Sequence, residues 1–345
     1  MGKKILVFRF SALGDVAMTI PVLWSLARQY PDHKICLVSR PFAADLVKPL
    51  PNVHLFPLDL KGRHKDFPGL LRLYRDLQSE GPWEAVVDLH SVLRTHVLTT
   101  LFKTAGPKVS KIDKGRKAKK RLTRKKNKIF QPLLHTTGRY QEAFQKAGYS
   151  FELMKFPGKE LFGEENTSGG SKDQTPPWGD LKGFTIGIAP FAKHHWKMWP
   201  EEKMLDLLRL LEKESVTVVF FGAPGDEQAR LEEWSGTFEN ARTFAGQLNM
   251  AQELELMSSL DVMVSMDSAN MHLASLAGTR VVSIWGATHP YAGFYGYGQD
   301  PKDAVQVDLS CRPCSVFGDK TCHRGDFACM MRITPGMIRD RIFGR

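Results

Sequence analysis

The stretch Lys3–Tyr30 reads KKILVFRFSALGDVAMTIPVLWSLARQY, and its three blocks decide the fold. KKILVFRF is a short apolar run of strand type. Val16, Ile20, Leu23, Leu26 and Ala27 recur at the spacing of a helix face laid on a sheet. Between them SALGD must turn sharply, with Gly14 supplying the bend and Asp15 standing where the helix begins. This is the opening strand–turn–helix of an open α/β sheet, whose chemistry lies at the carboxyl ends of its strands. The turn has neither GxGxxG nor GxxxxGK[ST], and a carboxylate at a helix N-terminus repels a phosphate. Asp15 therefore reads either as a helix cap or as a general base for a hydroxyl nucleophile.

The pattern Arg9-x-Ser11-x-Leu13-Gly14-Asp15, with Pro21 and Tyr30-Pro31, resembles the opening of the glycosyltransferase family 9 heptosyltransferases. That resemblance implies an α/β fold of GT-B type, two facing Rossmann-like domains with parallel sheets. It also implies that Asp15 is the catalytic base, with Ser11 and Gly14 bordering the acceptor.

The chain has 345 residues, enough for two domains with separate cores, and is 42% hydrophobic and 25% charged. No apolar run approaches the length of a membrane span, and ILVF is too short for a signal-peptide core, so a cytoplasmic location is expected. The formal net charge is +11, concentrated between Lys103 and Lys128, where thirteen Lys or Arg stand against the single acid Asp113. Such a run favours an anionic partner or is a solvated loop. It lacks the interleaved aromatics and signatures of a nucleic-acid binder.

Strand candidates KICLVS, NVHLFP and AVVDL alternate with helix candidates through the first half, the pattern of a doubly wound parallel sheet. The turn at Lys61, Arg63 and Lys65 precedes an amphipathic helix with Leu70, Leu73, Tyr74 and Leu77 inward. Asp88-x-His90-x-x-x-Arg94-Thr95 resembles the family's acceptor-side element, with His90 for glutamine and Thr95 for serine. A strand-end cap is the competing reading of Asp88. His135, Arg139 and Tyr140 resemble the run that opens the last helix of the family's first domain. GEENTSGGSKDQTPPWGD has linker composition. The expected division is thus an acceptor-binding domain over 1–162, a linker over 163–180, a donor-nucleotide domain over 181–330, and a final helix within 331–345 crossing back onto the first domain.

In the second half, APFAKHHWKMWPEE follows the strand FTIGI and places Lys193 and Lys197 where they can offset a leaving pyrophosphate. Lys197-x-Trp199-Pro200 resembles the family's donor-phosphate motif, which favours Lys197 over Lys193. Adjacent His194 and His195 lack the i+4 partner of a metal pair. Glu227, ahead of Asp226, is the candidate ribose ligand, with a capping role as the alternative. Asp267-Ser268-Ala269-x-x-His272 resembles the donor motif. Ser268, Ala269 and Asn270 offer backbone N–H groups at a helix N-terminus, and Ala269 stands for the usual glycine.

Cys311-x2-Cys314-x7-Cys322-x6-Cys329 permits a structural zinc site. The resemblance otherwise implies an inverting transferase with no required cofactor, because lysine and helix dipole carry the leaving-group charge. The implied partners are ADP-heptose and the anionic Kdo or heptose of the lipopolysaccharide inner core, met peripherally at the inner membrane. Arg63, Lys65, His90 and Arg94 would face that acceptor. Two alternatives stay open: the same mechanism with another sugar nucleotide, and a non-catalytic binder of anionic polysaccharide or nucleic acid.

Overall fold

A computed structural model describes residues 2–163 and 176–344. The chain forms two compact units, one of Met1–Lys114 with Leu134–Phe156 and the other of Gly115–Leu133 with Pro157–Arg345. The first unit is therefore discontinuous, where the sequence suggested one run over 1–162. Residues 115–133 fold with the second unit because they are anchored there: the Leu133 backbone N–H donates to the Tyr291 carbonyl at 2.9 Å, and the Phe130 ring lies against His289 and Tyr291. Most of the expected linker, 164–175, lies outside the described residues.

Five parallel strands build the first sheet: β1 (Lys4–Phe8), β2 (Lys34–Ser39), β3 (Val53–Pro57), β4 (Ala85–Asp88) and β5 (Lys108–Lys111). They run in the order β3-β2-β1-β4-β5. β1 is apolar throughout because helices cover both faces of the sheet, and Ile5, Leu6, Val7 and Phe8 have no exposed surface. The chain order reverses between β1 and β4, so a crevice opens at their carboxyl ends. Register there matches Phe8 with Asp88, which brings residues 9–15 and 89–94 to one edge.

The helix Leu13–Gln29 starts earlier than its sequence suggested: Ala12 is the N-cap, so Gly14 and Asp15 lie inside the first turn. Gly14 is buried and is not among the residues with positive φ, so the bend is made ahead of it. On the other face, Asp66 caps Phe67–Ser79 by accepting the Gly69 N–H at 2.8 Å. That helix buries Leu70, Leu73 and Leu77 against Phe8, Phe10 and Phe102, with Tyr74 half-buried beside them.

The second sheet comprises β6 (Phe184–Ala189), β7 (Val216–Phe220), β8 (Ala241–Thr243), β9 (Val262–Met266), β10 (Arg280–Ile284) and β11 (Ala304–Val305). Its order is β11-β10-β9-β6-β7-β8, again parallel and reversing between β6 and β9. The last helix, Pro335–Phe343, corrects an expectation. It stays on the second unit, with Ile338 and Ile342 in the core formed by Leu207, Leu208 and Leu211, and with Phe343 against Phe184. Its apolar stripe is satisfied there. Among the described residues, no helix is long and apolar enough to cross a membrane.

Candidate active site

Asp15 is held rather than merely placed. Its Oδ2 is in an ion pair with Arg9 and accepts the Ala12 N–H at 3.4 Å. Arg9 is itself fixed: its side chain is 7% exposed, donates to the Leu89 carbonyl at 2.7 Å, and lies 5.8 Å from the centre of the Tyr140 ring. Tyr140 donates in turn to the Asp15 carbonyl at 3.4 Å. Asp15 keeps 30% of its side chain exposed, and its Oδ1 has no partner among the described residues. A carboxylate aimed by a buried guanidinium, with one oxygen open, is suited to accept a proton.

Across the switch point, Asp88 ends β4 with its Oδ1 accepting the N–H groups of His90 and Ser91, at 2.9 and 2.7 Å. This is a capping role, and it fixes the turn that carries His90. Asp88 is wholly buried, and its Oδ2 has no partner. His90 Nδ1 accepts the Phe10 N–H at 3.3 Å, so a neutral ring carries its proton on Nε2. Burial, then the nearby charges of Arg9 and Lys114, pull its pKa down to about 4. At neutral pH His90 is thus a neutral donor, as a glutamine amide would be.

The other first-unit candidates divide. Arg94 donates to the Lys65 carbonyl at 3.0 Å, bringing those two residues together. Arg63 instead closes a two-pronged pair with Asp76, at 2.9 and 2.7 Å, with buried His64 on the same carboxylate. Its guanidinium is committed to bracing its own turn. Ser11 is half-buried just before the Ala12 cap.

In the second unit, Lys197 ends a short turn after β6, and its Nζ lies 2.8 Å from Asp267 Oδ2 at the end of β9. The two side chains are 15% and 7% exposed, so the pair bridges the switch point in a largely dry setting. Ser268 is the N-cap of Ala269–Leu276 but makes no side-chain capping bond, its Oγ lying 3.3 Å from Ser265 Oγ. The leading N–H groups, with Ala269 and Asn270 first, lack an acceptor within the helix, an arrangement that can receive an anion. His272 is buried one turn in. Lys193 is exposed, without an ion pair among the described residues. Glu227 Oε2 accepts the Ala223 N–H at 2.8 Å, the capping alternative, and pins the turn between β7 and its helix.

A family model described as glycosyltransferase family 9 (heptosyltransferase) matches residues 70–323. The chain belongs to glycosyltransferase family 9. As a family 9 glycosyltransferase it has the two parallel-sheet α/β units of the GT-B type. It is 23% identical over 295 residues to the lipopolysaccharide core heptosyltransferase OpsX of Haemophilus influenzae, covering 84% of this chain and 80% of that one. It is 23% identical over 330 residues to lipopolysaccharide heptosyltransferase 1 of Pseudomonas aeruginosa, covering 92% and 87%. The structure of E. coli heptosyltransferase WaaC with ADP resembles it in fold, with a TM-score of 0.70 at 17% identity over 99% of each chain.

Sequence reasoning placed Arg9 and Tyr140 in motifs without assigning them to Asp15. Their convergence joins residues 125 positions apart, which no local pattern displays. It also passed over the loop after β10, where Thr288 is buried with its hydroxyl unpartnered and His289 is buried. The dipeptide His289-Pro290 was the available signal, since a polar residue before proline at a strand end marks a turn.

Proposed function

We propose that this family 9 enzyme transfers heptose from ADP-heptose to the Kdo or heptose of the lipopolysaccharide inner core, with inversion at the anomeric carbon. Support for the substrates comes from the relatives' names and from the anion-binding features of the second unit. The observation that carries the mechanism is the open Oδ1 of Asp15 beside a buried Arg9.

The diphosphate is held by Lys197 Nζ and the N–H groups of Ser268 to Asn270, with His272 close behind. Asp267 positions the ammonium before the donor arrives. The acceptor hydroxyl is bound by the first unit, with His90 Nε2–H as a donor and Lys65 and Arg94 for its anionic groups. Its oxygen forms a bond to the anomeric carbon as the bond to the diphosphate breaks, and its proton passes to Asp15 Oδ1. Positive charge at the leaving group stabilises the negative charge that develops there.

The test is ADP release from ADP-heptose with heptose-deficient lipopolysaccharide, comparing wild type with Asp15→Asn. We expect acceptor-dependent release that falls about 10²–10⁴-fold in the variant, the range for losing a general base, with ADP affinity unchanged. Release from a different sugar nucleotide instead would keep the mechanism and move the substrate. Silence with every donor, together with salt-sensitive binding of an anionic polymer, would support the non-catalytic reading.

A further inference from the structure

The loop that carries the four late cysteines takes no part in the transfer chemistry, and its thiols do not form the zinc site that their spacing permits. Cys311, Cys314, Cys322 and Cys329 are free thiols that, among the described residues, are not within ligating distance of one another. What the loop brings to the donor site is an aromatic ring.

Ser315 organises the turn that carries this ring. It is fully buried, and its N–H donates to the Ala287 carbonyl at 3.2 Å. Its Oγ accepts the N–H groups of Phe317 and Gly318, at 3.2 and 2.9 Å, and donates to Asp319. Gly318 has φ +74°, and a Cβ there would stand 2.2 Å from Lys197 Cγ, so the backbone lies directly against the lysine stem. Phe317 itself is 56% exposed. Its ring centre is 5.9 Å from that of Phe294, which in turn has the Nζ of buried Lys119 at 3.8 Å. A single exposed apolar side chain is ordinary on a protein surface. One that is fixed on a braced turn, beside the lysine assigned to the diphosphate, is a preformed apolar face within a polar site.

Strand order determines which end of the donor reaches that face. In the order β11-β10-β9-β6-β7-β8, Lys197 follows β6 and Ser268 follows β9, which centres the diphosphate between those two strands. Glu227, the candidate ribose ligand, follows β7 on one side. The Phe317 turn is on the other side, seated on Ala287 just past β10, and the Ala287 N–H donates to the Trp196 carbonyl at 3.4 Å. A nucleotide whose ribose lies toward β7 directs the sugar on its far phosphate toward β10.

We propose that Phe317 is the platform on which the donor's sugar ring stacks, and that it is a specificity-determining residue of the donor site. The proposal rests on the reading of Lys197 and Ser268 as the diphosphate site. A pyranose has a face of C–H groups that hydroxyls at its rim leave uncovered. An aromatic ring covers that face without taking any hydrogen-bonding group out of water.

The test is calorimetric binding of ADP and of ADP-heptose, without acceptor, to the wild type, Phe317→Ala, Phe317→Leu and Phe317→Tyr. Phe317→Ala should weaken ADP-heptose about three- to tenfold, the scale of an aromatic contact, and leave ADP unchanged. Phe317→Leu keeps apolar bulk without the flat face and should show the same selective loss, whereas Phe317→Tyr should bind as the wild type does. Equal weakening of both ligands would overturn the platform and make the turn a support for Lys197. Unchanged affinity for both would overturn it too, as would a rise confined to the acceptor's KM, which would set the ring against the acceptor instead. If Lys197→Met leaves ADP affinity intact, the donor site itself fails and the proposal with it.

Discussion

Lys197 and Asp267 show how one residue pair combines attraction and placement. The 2.8 Å pair holds the ammonium at the strand ends, next to a helix N-terminus that makes no side-chain capping bond. On the proposed donor reading, an incoming diphosphate would meet charge already in position, so little side-chain entropy would be lost on binding. Lys197→Met should weaken ADP binding about ten- to a hundredfold, the scale of a charged hydrogen bond, as measured by calorimetry. Asp15 illustrates the opposite dependence on neighbours. Its identity was legible from the SALGD turn, but its orientation was not, because Arg9 and Tyr140 must first be folded around it.

Among the elements, the basic segment divides into structural and exposed charges. Lys119 is buried with its Nζ 3.8 Å from the Phe294 ring centre, and Lys128 is anchored on the cysteine loop. Lys117, Lys120, Arg121, Lys125 and Lys126 remain exposed. Neutralising those five to Gln should weaken binding of anionic acceptor and flatten its salt dependence while sparing ADP affinity. Equal loss of both in a binding assay would sink the acceptor role. The final helix gives a stability test: Ile338 and Ile342 are fully buried on the second unit. Ile338→Ala should cost about 2–4 kcal/mol of that unit's stability, visible as a lower thermal midpoint with the first unit unchanged.

At the scale of the whole molecule, the two units respond differently to acid. In the first, burial holds the pKa of His90 down to about 4 and that of His33 below its ordinary value. Between the unfolded histidine pKa near 6.5 and the lower folded one, the unfolded chain binds more protons, so stability falls as pH falls. The second unit carries an opposing pair. His289 is likewise lowered to about 4, but burial raises Glu253 to about 7, and its folded form takes up a proton first as pH drops. The two contributions run in opposite directions over the same window. Taking the unit from pH 7 to 5 should therefore cost the first unit about 2 kcal/mol for His90 alone. Urea unfolding read by limited proteolysis would resolve each unit's fragments, and His90→Gln should remove most of the loss. Equal destabilisation of both units would contradict this account.

The sequence by itself determined the parallel sheets, the strand-end positions of Asp15, Asp88, Lys197 and Asp267, and the family they resemble. Alternating apolar runs and turn residues are local signals, and a strand followed by a helix places the intervening turn at the sheet's carboxyl edge wherever it occurs. Only the tertiary structure decided which side chains meet there. It assigned Arg9 to Asp15, committed Arg63 to Asp76, returned residues 115–133 to the second unit, and kept the last helix with it. Each outcome depends on which distant surface offers a buried counter-charge, carbonyl or apolar groove, and hydrophobic period and residue spacing carry no record of that choice.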